Sequence, residues 1–278
     1  MQKEEVMKER TIQFDKYHGA GNDFILINSQ ALRFSLSEEE IALLCHRRFG
    51  IGADGLIMVS KSNRADFEMR YYNADGRISS MCGNGGRCVA AFAFEKGLAG
   101  KEQLFEGPDG LHRAKITQQQ GTQNHYHVML HLRNINTIHQ GHGYATLNTG
   151  SPHYVTFTHN LESMDVKSQG RKIRLSSQFA PQGINVNFVE EKSGKLFVRT
   201  YERGVENETL ACGTGVTAAA IAWAEQRGVT EGNIPILTKG GNMQVSFRKE
   251  DSSYTDIILS GPAEKVFEGV ITLKNPKI

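Results

Sequence analysis

The chain has 278 residues, 39% hydrophobic and 22% charged, with 32 basic side chains against 30 acidic ones. That length suits one large domain or two small ones with real cores, and a net charge of +2 without a clustered basic stripe argues against nucleic acid as a partner. No apolar run approaches the roughly 18 residues of a membrane span, and MQKEEVMKER at the start is too charged for a signal peptide, so a cytoplasmic protein is expected.

In chain order, residues 1–10 read as a frayed tail, and runs 12–17, 24–28, 55–59 and 67–72 have strand composition. Between them SLSEEEIALLCHRRFG reads as a helix. Ser35 or Ser37 can cap it, acids fill the first turn, His46, Arg47 and Arg48 lie near its end, and Gly50 follows. Cys45, beside Leu43 and Leu44, reads as a small core residue. After Cys82 a helix should run to about Lys96 and stop at Gly97; after Cys212 another should run to about Arg227 and stop at Gly228. Both are small or apolar almost all round, which implies burial. HVMLHLRNI, KIRLS, KLFVRTY, MQVSFR and TDIILSG alternate as strands do. His125, His127 and His131 share one face of the first, opposite Val128, Leu130 and Leu132, and read as a solvated polar face rather than metal ligands.

Two blocks repeat a pattern: MCGNGGRC from Met81 and ACGTGVTAAAIA from Ala211. Each follows a strand ending in tyrosine and a polar loop, with ten residues from Tyr72 to Cys82 and eleven from Tyr201 to Cys212. The repeat implies two copies of a mostly β unit around a central helix, forming two lobes related by a pseudo-twofold, with the cysteines facing one another across a cleft. Boundaries are expected at 1–133 and 134–262, with a C-terminal strand, 263–278, returning to the first lobe.

Glycines after a cysteine let backbone N–H groups approach a ligand closely. At a helix start those N–H groups lack internal partners and sit at the positive end of the dipole, which favours both a thiolate and a bound carboxylate. Two such corners in opposition suit inversion at a carbon: one thiolate removes a proton and the other thiol delivers one to the opposite face. Preorganised N–H donors on the developing charge are worth roughly 3–4 kcal/mol apiece. No redox cofactor is needed, since nothing is oxidised.

Rival readings are weaker. Six residues place Cys82 and Cys88 about 240° apart on a helix, and no Cys-x-x-Cys exists for a zinc site. GTGVTA fits the dinucleotide pattern but does not directly follow an apolar strand. A thiol-disulfide oxidoreductase and an inactive binding protein are the competing classes.

The blocks KYHGAGNDFILIN, RRFGIGADGLI, YYNADGRISSMCGNGGRC, GSPHYV, GINVNFV and RTYERGVENETLACGTG together resemble diaminopimelate epimerase, in order and across nearly the whole chain. The resemblance implies an α+β fold of two pseudo-symmetric lobes, each a β-barrel-like sheet wrapped around a central helix, and cofactor-independent interconversion of LL- and meso-diaminopimelate, a step toward lysine and peptidoglycan, by a homodimer. It makes Cys82 and Cys212 the acid–base thiols and places His153 and Glu202 where they can assist proton handling. Asn22, Asn73, Asn185 and Arg203 fall at substrate-holding positions, while Gly83, Asn84, Gly213 and Thr214 supply helix-start amides. Ser151 and Gly55 stand where some members carry asparagine and glutamine, at the edge of the substrate shell. A proline racemase-like enzyme of the same superfamily is the alternative. No metal, membrane or nucleic acid is implied.

Overall fold

The computed structural model describes residues 10–118 and 124–273. Of the expected tail only Arg10 falls among them, and it opens a strand; residues 1–9 and the last residues of the expected returning strand, 274–278, lie outside the described residues.

The first lobe contains β1 (Arg10–Gly19), β2 (Asn22–Asn28), β3 (Gly55–Ser60), β4 (Phe67–Asn73), β5 (Glu102–Gly107), β6 (Gly110–Gln118) and β7 (His125–His131). The second contains β8 (Ile138–Gln140), β9 (Ala145–Asn148), β10 (Pro152–Phe157), β11 (Asn185–Lys192), β12 (Lys195–Glu202), β13 (Asn207–Thr209), β14 (Glu231–Thr238) and β15 (Gly241–Glu250). The long β16 (Ser253–Leu273) joins them: it pairs with β15, then crosses to β7 and to β1, closing the first lobe into a barrel. Among the described residues four α-helices accompany the strands: α1 (Glu38–Cys45), α2 (Gly83–Glu95), α3 (Val166–Arg174) and α4 (Gly213–Arg227).

The repeat read from the cysteine blocks extends to topology. β2 runs parallel to β3 and β4 parallel to β5; β10 runs parallel to β11 and β12 parallel to β14. Parallel neighbours need crossovers, and each lobe supplies two helices for them, α1 and α2 in the first, α3 and α4 in the second. The second helix of each pair is the buried one. Val89–Ala93 of α2 pack with Phe24, Ile57, Phe67 and Phe105, while Ala218–Ala222 of α4 pack with Val155, Val189, Val198 and Val245. Small side chains let both helices fit inside their sheets.

Helix ends follow the chemistry expected of them. α2 ends before Gly97 at φ +67°, and α4 before Gly228 at φ +66°. Ser37 caps α1 in a reciprocal arrangement with Glu40. That helix stops at Cys45, so His46, Arg47 and Arg48 lie in the following turn, and Arg47 reaches Asp23 and Asp54 instead. KIRLS is not a strand. It forms the end of α3, which Asp165 caps and whose Gly170 lies against Tyr201; four alternating residues carry too little period to separate the two structures. In β7 the tyrosine, valine and leucine side chains are buried, with His125 and His127 exposed on the other face and His131 half-buried. Among the described residues no helix is long and apolar enough to cross a membrane.

Candidate active site

The two Cys-Gly corners meet at the junction of the lobes. Cys82 and Cys212 are the N-caps of α2 and α4, in nearly the same backbone conformation: φ −115°, ψ 120° and φ −120°, ψ 110°. A Cβ built on Gly83 would stand 3.3 Å from Gly213 Cα, and one on Gly213 would stand 3.1 Å from Gly83 Cα. Only glycine at both positions lets the helix starts abut. Their outward-facing amides consequently open into one cleft of about 740 Å³.

All four cysteines are free thiols. Cys82 is half-buried; its sulfur accepts from the Gly85 amide at 3.5 Å and lies 3.7 Å from Asn22 Oδ1. Cys212 is buried, with its sulfur 3.5 Å from Thr214 Oγ1. Asn84 Nδ2 donates across the junction to the Ala211 carbonyl at 2.9 Å, and also to Asn22 Oδ1 at 3.3 Å. Asn22 is aimed by its own donation to Asp54 at 2.7 Å.

The resting thiols are not as acidic as a helix start alone implies. Burial pushes the Cys82 thiol up to about 11, the Gly85 and Asn84 amides pull the other way, and the Glu202 charge adds to the rise. Burial and Glu202 also push Cys212 up, with the Thr214 hydroxyl opposing. The helix-start amides act as expected, but desolvation of a thiolate in a dry cleft outweighs them. Glu202 itself is lifted by burial to about 7, helped by the charge of Asp54.

Every site residue proposed from sequence lines the cleft except His153. Asn22, Asn73, Cys82, Gly83 and Asn84 come from the first lobe; Ser151, Asn185, Glu202, Arg203, Cys212, Gly213 and Thr214 come from the second. Asn185 is held by accepting from the Arg203 amide at 2.8 Å and donating to Ser151 Oγ at 3.1 Å. His153 is fully buried behind Thr214, its Nε2 3.0 Å from Thr214 Oγ1. Gly55 is likewise not in the wall: a Cβ there would strike the Tyr71 ring at 2.5 Å, and it is Tyr71 that reaches the cleft.

Arg87 and Asn187 are among the residues the sequence reading does not single out. Arg87, inside MCGNGGRC, is fully buried and bonds Gly83 O, Asn84 Oδ1 and Pro262 O. Asn187 lies two residues beyond Asn185 on β11, hence on the same face, and contacts His153. Period-2 spacing within GINVNFV could have flagged it, although burial of the whole run hides the alternation.

The diaminopimelate epimerase family model matches residues 14–130 and 145–266, which is most of the chain. The chain belongs to the diaminopimelate epimerase family. It is similar to diaminopimelate epimerase of Flavobacterium psychrophilum, 47% identical over 258 residues, covering 92% of this chain and 98% of the relative. The Chlorobaculum tepidum diaminopimelate epimerase is 41% identical, with 92% and 99% covered. Among solved structures, a PhzF-family phenazine biosynthesis protein of Bacillus anthracis shares the fold at TM-score 0.74 and 16% identity, covering 95% of this chain and 99% of that one. A hydroxyproline epimerase from Agrobacterium vitis, with bound trans-4-hydroxy-L-proline, aligns at TM-score 0.68 and 16% identity, covering 96% and 94%. The family and relative matches show an isomerase, and the two solved structures share the two-lobed α+β fold.

Proposed function

We propose that the protein interconverts LL- and meso-diaminopimelate through Cys82 and Cys212, which take and return the α-proton on opposite faces. The observation that carries this reading is the abutment of two Cys-Gly helix starts at a single cleft. The α-carboxylate sits on the Gly83, Asn84, Gly213 and Thr214 amides, where charge developing on the carbanion is stabilised. The α-ammonium brings a positive charge beside the sulfurs, offsetting the burial that keeps both thiols protonated in the free protein. Proton removal at one face and donation at the other then need no group beyond the pair. Glu202, near neutrality, exchanges protons between the site and water. Arg203 takes the distal carboxylate as a bidentate partner, while Asn22, Asn73, Ser151 and Asn185 bind the remaining polar groups. A cytoplasmic homodimer is part of the proposal; exposed Val266, Phe267 and Val270 on β16 offer it an apolar face.

The test is turnover of LL-diaminopimelate in deuterated water under reducing conditions, followed by mass spectrometry of the meso product. One deuterium at the inverted carbon per turnover is expected. Inversion without label, or turnover of proline in preference to diaminopimelate, overturns the proposal.

A further inference from the structure

His153 is the one site residue that does not reach the cleft, and its surroundings determine where its proton sits. Asn187 is fully buried. Its Nδ2 donates to the Tyr154 carbonyl at 2.9 Å, and its Oδ1 accepts from Thr200 Oγ1 at 2.9 Å. A carbonyl oxygen can only accept, so the amide orientation is fixed. The same Nδ2 lies 3.1 Å from His153 Nδ1, which must therefore be the bare, accepting nitrogen. The ring proton is left on Nε2, which donates to Thr214 Oγ1 at 3.0 Å. With that oxygen already accepting, the Thr214 hydroxyl proton is free for the Cys212 sulfur at 3.5 Å.

We propose that His153 is a neutral positioning residue and not a proton carrier: Asn187 fixes its Nε2–H form, and Thr214 thereby donates a hydrogen bond to the Cys212 thiolate. This rests on the reading of Cys212 as an acid–base group. The charged group bearing on the ring is Arg203, which disfavours imidazolium, as burial does more strongly; together they hold His153 down to about 3. The other contacts from β11 and α4 are the neutral Asn187 and Thr214, with Cys212 beyond. Gly215 belongs to the same device. A Cβ there would stand 2.4 Å from Asn187 Oδ1 and 3.1 Å from Thr200 Oγ1, so the last glycine of Cys-Gly-x-Gly makes room for the amide.

The experiment is long-range proton–nitrogen NMR on protein carrying ¹⁵N-histidine, with His153 assigned by its loss in His153→Gln. The expected spectrum shows a neutral Nε2–H ring at pH 5.5 and at pH 8. An Nδ1–H ring, or titration between those values, overturns the proposal. Peptide-mapped alkylation supplies a second arm, with Cys82 as internal standard. Thr214→Val should slow Cys212 alkylation at pH 8 by about tenfold relative to Cys82, whereas Thr214→Ser keeps the donor and restores it. Equal Cys212 reactivity in the two variants also overturns it. Neither arm measures turnover, so failure of the epimerase reading would show separately, as label uptake indifferent to Cys212.

Discussion

The two cysteine corners share a backbone but not a supporting environment. Behind α2, a Cβ on Gly85 would meet Ile57 and Met69, both apolar; behind α4, one on the equivalent Gly215 meets Asn187 and Thr200. The second lobe supports its sulfur from the sheet, through Asn187, His153 and Thr214. The first lobe does so from within the helix. Arg87 takes the place that Thr217 holds on α4, five residues after the cysteine in each case, and it is fully buried, donating to Gly83 O, Asn84 Oδ1 and Pro262 O. A buried cation is costly unless hydrogen bonds and a developing anion offset it. On the proposed mechanism the two lobes share the geometry of proton transfer, and each face has its own way of holding negative charge.

The strongest way to break the comparison is to remove one sulfur at a time. Cys82→Ala and Cys212→Ala should each lower epimerisation by at least about 10³-fold with the fold unchanged by circular dichroism. Cys→Ser at either position should leave slow, one-sided exchange of substrate deuterium, of opposite stereoisomers in the two variants. Loss of the same isomer in both would mean that the faces are not divided between the sulfurs.

Next come the glycines that hold the faces together. In Gly83→Ala and in Gly213→Ala the new methyl meets Leu259 Cδ2 at 2.9 Å and the other helix's backbone within 3.3 Å. Leu259 can rotate away, but the backbone cannot. About 1–3 kcal/mol of stability and roughly 10² in kcat should be lost. Adding Leu259→Ala should recover neither stability, measured by urea unfolding, nor rate, because the backbone contact remains and a buried leucine is lost. Rate recovery would show that helix spacing is not what matters.

Arg87→Met sharpens the contrast between lobes. It should slow exchange at the Cys82 face by about tenfold and move Cys82 alkylation to higher pH, with Cys212 unaffected. Arg87→Lys keeps the charge and should retain most of that pH behaviour. Equal shifts at both cysteines would refute lobe-specific support.

Glu202 separates the cleft's shared carboxyl from both supports. Its folded pKa, about 7, is above its ordinary value of 4.5, so the folded state binds this proton more tightly. The associated stability is present below pH 4.5 and is lost as pH rises through 7. Glu202→Gln removes that loss. By pH 8 the variant should have gained about 1 kcal/mol relative to the parent, allowing for solvent screening of a half-buried group. Urea midpoints at pH 5 and pH 8 measure it; a parallel pair of curves would place Glu202 in water.

Much of this was legible in the chain because glycine and cysteine carry local constraints. The helix starts, Gly97 and Gly228 as stops, and the buried faces of α2 and α4 all follow from side-chain chemistry within a few residues. What the sequence hid depends on contacts across long separations. Asn187 acts on His153 only because β10 and β11 are parallel neighbours, in a register that sets His153 beside Asn185. The failed strand at 172–176 has the same origin: Gly170 fits α3 against Tyr201 of β12, a contact no local pattern encodes. The acidity of the thiols is likewise not legible locally, because burial, a property of the assembled cleft, opposes the helix amides.

Cys45 tests whether position, rather than residue type, makes the site. It is the last residue of α1, where the exposed carbonyls and the negative end of the dipole disfavour a thiolate, and burial pushes its thiol up to about 12. It packs among Ile25, Ile41, Leu44 and Leu56, away from the cleft wall. Cys45→Ala should cost about 1 kcal/mol by urea unfolding, from lost packing, and leave the deuterium-exchange rate at both faces within a factor of two. In peptide-mapped alkylation of the folded protein, Cys45 should lag far behind Cys82. A cysteine at a helix end that reacted as fast would show that the amides at the start of α2 contribute nothing to Cys82, and the comparison between the two corners would lose its physical basis.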